Sequence, residues 1–249
     1  MCSIKKRCPV KTEVMLMSLF EIVREMLSLP RVQITMWGGD SKQVYSYFVK
    51  PHPRYKVIRN KEWGVGLLPL PDTFEEYLRG RDRQALRTNR KRCLSRGFYF
   101  NSFNPAERLE EILDINLSMR DRQGKPMHPD YLNIDCLRQY CSDKPLMYGI
   151  FNAEGILKAY AYAPIYGEVF VFSRLLGHGD CLDQGIMYLL VSEIIREMID
   201  FKQAQGYPLW AMYDTFFGAK PGLRYFKERL GFKPYKVKWR SEEHTSELQ

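Results

Sequence analysis

The stretch that decides the fold runs from residue 169 to residue 205 and reads VFVFSRLLGHGDCLDQGIMYLLVSEIIREMIDFKQAQ. Val169 to Leu176 is a short run rich in β-branched and aromatic residues, which suits a strand. Glycines follow at Gly177, Gly179 and Gly185. From Ile186 apolar residues recur at three and four spacing as far as Gly206, which suits a long helix. In that order the helix's unpaired N–H groups and positive end stand beside backbone with no Cβ to hold a ligand away. Arg174, Gly177, His178 and Gly179 form one part of a candidate anion site, and a diphosphate is its natural occupant. Two registers are open. A helix starting at Asp180 or Cys181 would carry Gly185 inside it, at a cost of about 1 kcal/mol. A helix starting at Gly185 or Ile186 would let Asp183 cap it and would turn the N–H groups of Asp183, Gln184, Gly185 and Ile186 toward the anion. Glycines that merely make a turn would read the same way.

Outward from this stretch the pattern stays regular. Residues 146–152 and 156–166 are apolar runs joined by the turns Ala153-Glu154-Gly155 and Gly167-Glu168, so with 169–176 they predict an antiparallel meander. Downstream, 207–214 reads as a buried strand, 221–232 as a helix stopped at Gly231, and 232–239 as a last strand. The expected fold is α/β of the α+β kind: a mixed, mostly antiparallel sheet flanked by helices over residues 146–240, preceded by a helical and stranded lobe over 1–145.

Within that lobe the periodicity predicts a helix over 12–28. Short strands follow at 31–37 and 44–50 around Gly38-Gly39-Asp40, then a third at 55–63 and a stiff proline connector at 67–71. Asp72, with Glu75 three residues on, suits a capping box. Further elements are a strand at 98–100 and helices over 105–120 and 129–141, the latter with Pro129 in its first turn. Residues 241–249 read as a disordered polar tail.

Composition bounds the function. The 249 residues carry 38 Lys plus Arg against 29 Asp plus Glu, a net charge of +9, which suits an anionic partner or simple solubility. The six cysteines form no Cys-x-x-Cys pair and only four histidines accompany them, so no metal site is expected. Scattered cysteines suit a reducing compartment, and cytoplasm is the default. No apolar run is long enough to span a membrane. Eight of the 38 cations crowd into residues 79–96, where Arg83, Arg87, Arg90 and Lys91 would share a helix face. That face can meet an RNA backbone or an anionic substrate, or pair with acids such as Glu107, Glu110 and Glu111. Aromatic residues do not interleave with it, so a stacking platform for bases is not supported.

Arg174-x-x-Gly177-x-Gly179 after a strand, the long helix, and Phe226-Lys227-Glu228-Arg229-Leu230-Gly231-Phe232 near the end resemble the GCN5-related N-acetyltransferase (GNAT) superfamily over about residues 146–239. The basic segment and Gly222-Leu223-x-x-Phe226-Lys227 are also similar to the Fem-type aminoacyltransferases, which use this fold to pass an amino acid from charged transfer RNA to a cell-wall precursor. The resemblance implies acyl-coenzyme A as co-substrate, its pyrophosphate on the glycine turn, and an amine acceptor. It implies transfer RNA as donor in the Fem-type alternative, reached through Arg83, Arg87, Arg90 and Lys91. A noncatalytic member of the fold is a third reading. The resemblance also implies a backbone N–H at the carbonyl oxygen, for which Phe172 is the candidate. One departure stands out: Lys227 occupies the position of the tyrosine that serves many acetyltransferases as general acid.

Acyl transfer needs an amine that has lost its proton. Asp214, at the end of the strand beside the donor, and Glu168, at the neighbouring turn, are the candidate bases. Tyr160, Tyr162, Trp210 and Tyr213 read as core or wall residues.

Overall fold

A computed structural model describes residues 24, 26–53, 56–119, 121–122 and 125–242. In chain order the strands are β1 (Arg31–Met36), β2 (Val65–Pro69), β3 (Tyr99–Phe103), β4 (Asp121–Arg122), β5 (Lys125–Pro126), β6 (Met147–Phe151), β7 (Leu157–Tyr162), β8 (Ile165–Tyr166), β9 (Val169–Val171), β10 (Arg174–Gly177), β11 (Trp210–Thr215) and β12 (Lys233–Ser241). The α-helices are α1 (Ser41–Val49), α2 (Phe74–Leu78), α3 (Gln84–Ser95), α4 (Leu109–Leu117), α5 (Ile134–Ser142), α6 (Ile186–Gln205) and α7 (Pro221–Leu230).

The run 169–176 forms two strands belonging to two sheets. β9 pairs in parallel with β11, as far as Val171 opposite Met212. β10 pairs antiparallel with β7, Arg174 lying opposite Tyr162. The parting falls between neighbouring residues: the Phe172 N–H donates to Met212 O at 3.0 Å, whereas the Ser173 N–H donates to Tyr162 O at 2.9 Å. One sheet has the order β1-β12-β2-β11-β9-β8 and the other β10-β7-β6-β3, with a small β4–β5 hairpin apart. Apart from β1–β12 and β9–β11, the pairings are antiparallel.

Strands from both sides of residue 145 share these sheets. β3 pairs with β6, and β2 inserts between β11 and β12.

Each sheet face is covered where the alternating side chains are apolar. α1 lies on Ile34, Met36, Leu67, Met212 and Trp239. α4 and α5 cover Met147, Leu157, Tyr160 and Leu176. α6 is sandwiched between sheet and α3, so Ile186, Leu189, Leu190, Ile194, Ile195, Met198 and Ile199 are buried around most of its circumference. Each of these contributes about 1.5–3 kcal/mol by leaving water. Glu193 is buried there too, and Arg90 reaches it with Nε at 2.8 Å while Arg196 Nη1 lies at 3.0 Å.

Several N-terminal expectations are corrected. Residues 44–49 are helical, because α1 carries Phe48 onto the Trp239 ring at 4.8 Å. The 67–71 connector belongs largely to β2, a buried inner strand that ends at Pro69, where a missing N–H matters least. Residues 56–63 form turns; Tyr55 lies outside the described residues. The cap of α2 is Thr73, whose Oγ1 accepts from the Glu76 N–H at 3.2 Å, and the Glu76 carboxylate accepts from the Asp72 N–H at 3.2 Å. The helices expected over 105–120 and 129–141 each split into a 3-10 turn followed by α4 or α5. The 12–28 helix lies outside the described residues except at its end, and so does the 241–249 tail beyond Glu242. Among the described residues no helix is long and apolar enough to cross a membrane, and no cluster of His, Cys, Asp and Glu is fit to hold a metal ion.

Candidate active site

The glycine turn takes the second register. A 3-10 segment spans Gly179–Gln184, Gly185 adopts φ 87°, and α6 starts at Ile186. Gly185 itself is the cap, so Asp183 does not serve as one. The glycines are used for packing. A Cβ on Gly185 would stand 2.6 Å from Asn89 O of α3; on Gly179 it would stand 2.9 Å from Ser118 O; on Gly177, 2.5 Å from Met187 Sδ. The Gly179 N–H is spent on Ser118 Oγ at 2.8 Å. His178 Nδ1 accepts from the Asp180 N–H at 3.3 Å, and its Nε2 lies 3.4 Å from Asp114. Gln184 reaches back to Asp180 O at 3.4 Å, and Ile186 is buried. Arg174 turns away from the glycine turn, its guanidinium 3.2 Å from the centre of the Tyr140 ring.

Open space lies at the other side of the parting. A cavity of about 390 Å³ is lined by Tyr47, Lys61, Tyr166, Phe172, Ser173 and Asp214 among others. Asp214 reaches it through a departure from strand geometry: the β11–β2 register shifts between Met212 and Thr215, and Asp214 adopts φ 44°, rare for a residue with a Cβ. Gly66 permits this, because a Cβ there would meet Tyr213 O at 2.8 Å. The Asp214 carboxylate forms an ion pair with Lys61 Nζ. Lys61 is fixed by its backbone, its N–H donating to Phe48 O at 3.0 Å and its carbonyl accepting from Trp239 Nε1.

Beneath the shift lies Lys227, 1% exposed, its Nζ donating to Thr215 O at 2.8 Å and standing 4.8 Å from the Tyr213 ring centre. Burial pulls the Lys227 ammonium down to about 8, partly opposed by the Asp214 carboxylate and reinforced by Lys61. Burial likewise pushes the Tyr213 phenol well above its ordinary value.

Of the candidate catalytic residues, Asp214 and Phe172 share the cavity. The Phe172 N–H, expected to meet a carbonyl oxygen, donates to Met212 O at 3.0 Å in this structure. The Glu168 carboxylate is spent on the Thr35 N–H at 2.6 Å, tying β1 to the turn before β9. In the basic segment, Arg87 donates to Leu78 O and Gly80 O, Arg83 reaches Glu228 O at 3.5 Å and Arg90 holds Glu193. Lys91 alone of the four points outward without such a partner among the described residues; Arg79, Arg81, Arg92 and Arg96 are exposed with it. Lys61 had no sequence signal, since it sits in turns that alternation alone reads as strand.

A sheet that parts at one strand, with a glycine turn and long helix beyond it, is a GNAT-like fold, and the solved structure of FemX bears this out. FemX matches with a TM-score of 0.51 at 10% identity over 69% of this chain and 59% of its own. The structure of L-PGS from Bacillus licheniformis matches with 0.47 at 19% identity, over 70% of this chain and 58% of its own. The C-terminal domain of a putative lysylphosphatidylglycerol synthetase from Agrobacterium fabrum matches with 0.45 at 16%, over the same shares. The chain thus spans less than three-fifths of their length, and at these identities the likeness is one of fold. No family model and no curated protein matches the sequence.

Proposed function

We propose that this chain is a transferase that moves an aminoacyl or other acyl group from an activated donor to an amine, at the cavity holding Lys61 and Asp214. The observation that carries this is the forced placement of Asp214: a left-handed residue at a register shift, braced below by buried Lys227 and facing a lysine across the cavity mouth. A carboxylate there can take the proton of an incoming amine, and an adjacent ammonium can offset charge developing on the carbonyl oxygen. The bond formed is C–N; the bond broken joins the carbonyl carbon to the donor's oxygen or sulfur.

Between the two donor readings, the packing favours an ester on transfer RNA over acyl-coenzyme A. A coenzyme A diphosphate would want the turn at Gly179–Ile186, where α3 approaches Gly185 and Ser118 takes an N–H. The exposed cations Arg79, Arg81, Lys91, Arg92 and Arg96 suit a phosphate backbone. Arg83, Arg87 and Arg90, each hydrogen-bonded within the chain, act in this reading as braces.

Binding of labelled transfer RNA and of acetyl-coenzyme A to the purified chain, over a salt series, decides the matter. RNA affinity should fall steeply with salt, and Lys91→Ala should flatten the log–log slope by about one. Tight acetyl-coenzyme A binding displaced by free coenzyme A, with none for RNA, would reverse the choice of donor.

A further inference from the structure

Among the described residues five buried side-chain polar atoms lack a hydrogen-bond partner, and three of them belong to one cluster: Arg122 Nε, Arg174 Nη1 and the Tyr140 hydroxyl. The cluster lies on the α4–α5 side of the four-stranded sheet. The Arg174 guanidinium is stacked 3.2 Å from the Tyr140 ring centre and 4.2 Å from that of Tyr131. Arg122 Nη2 holds Ile115 O and Gly177 O at 2.9 and 3.1 Å, and Tyr160 between them donates to Asn116 Oδ1 at 2.8 Å. Arg90, Arg108, Arg138 and Arg196 meet carboxylates; neither Arg122 nor Arg174 has such an ion pair among the described residues.

Two features of this arrangement point to a ligand. All three unspent groups can donate, and a group made only of acceptors would suit them. Burial raises the Tyr140 phenol far above its ordinary value, so it stays a donor throughout the neutral range. Moreover, two aromatic rings crowd the Arg174 guanidinium, whose fork of N–H groups matches a planar carboxylate. Isolated guanidinium groups out of water are costly without a counter-charge, and Lys144, 4.9 Å from the Tyr140 ring centre, adds to the positive field.

The cluster adjoins the proposed transfer site. Arg174 follows Ser173, which lines the cavity, and Tyr140 meets Tyr162 edge-on at 6.4 Å. Tyr162 lies close enough to the cavity residue Tyr166 to act on its ionisation.

We infer that Arg174, Arg122 and Tyr140 bind the carboxylate of a small amine-bearing acceptor, an amino acid or peptide end, and so orient its amine toward Asp214. Naming the ligand an acceptor rests on the transferase reading, but binding is measured without turnover, so the two fail separately. The experiment is calorimetry of the whole chain with a set of free α-amino acids, their amides and inorganic phosphate. At least one amino acid should bind, its amide at least tenfold more weakly. Tyr140→Phe, which keeps the ring under Arg174 and hence the fold, should weaken binding roughly tenfold, as expected for one hydrogen bond to a charged group. Arg174→Met should abolish binding. Amides that bind as well as acids, phosphate as the sole ligand, no binding by any amino acid, or full affinity in Tyr140→Phe would each overturn the inference.

Discussion

Lys227 shows how one side chain links stability to site geometry. Its ammonium is held at about 8 against an ordinary 10.5, so between those values the unfolded chain binds more protons at this position than the folded one. Stability therefore rises with pH across that window, and the burial penalty is felt in full below it. Denaturant melts at pH 7 and pH 9.5 should show wild type gaining on Lys227→Met as pH rises, by at most about 2 kcal/mol. A constant difference would mean that the amine is not desolvated. At this scale the sequence was half legible. Asp214 could be picked out because it ends a strand, and Lys227 because it departs from a family pattern. Lys61, Arg122 and Tyr140 could not, since each meets a partner far along the chain, Asp214, Gly177 and Arg174 respectively, a separation that periodicity does not encode.

The glycine turn teaches the corresponding lesson for elements. Strand, turn and helix were readable from period and turn chemistry, and the start of α6 at Ile186 agrees with the second register. What the glycines are for was not readable, because close backbone approach to a ligand and to another helix demand the same absence of Cβ. Gly185 combines φ 87° with Asn89 O in the space its side chain would fill. Gly185→Ala should thus cost about 2–3 kcal/mol in thermal or denaturant melts, from left-handed strain and displacement of α3. Gly222→Ala, in open space near the start of α7, should be neutral or slightly stabilising. Equal stability of the two variants would show that α3 does not press on the turn. Helix α1 was misread for a related reason: Val44–Val49 is rich in β-branched and aromatic residues, but burial of Phe48 against Trp239 outweighs that local preference.

Across the whole molecule, the C-terminal order of elements fixed the fold class, while the sheets themselves draw on residues before 145. β2 supplies an inner strand of the larger sheet, and its backbone accommodates the shift that presents Asp214. Such pairing over more than 140 positions leaves no mark in either segment alone. The basic segment, similarly, is less a free cationic face than a brace, with three of its arginines hydrogen-bonded within the chain. Chemistry is expected at the mouth where β9 and β11 meet α1 and Lys61, with the glycine turn serving the scaffold.

The most direct test is the single-turnover rate of acyl transfer to an amine by wild type and by Asp214→Asn, each loaded with the same labelled donor. Donor affinity should be unchanged within about twofold while the rate falls roughly a hundredfold or more, as loss of a general base requires. An Asp214→Asn protein that transfers as fast as wild type would contradict the placement of the reaction in this cavity.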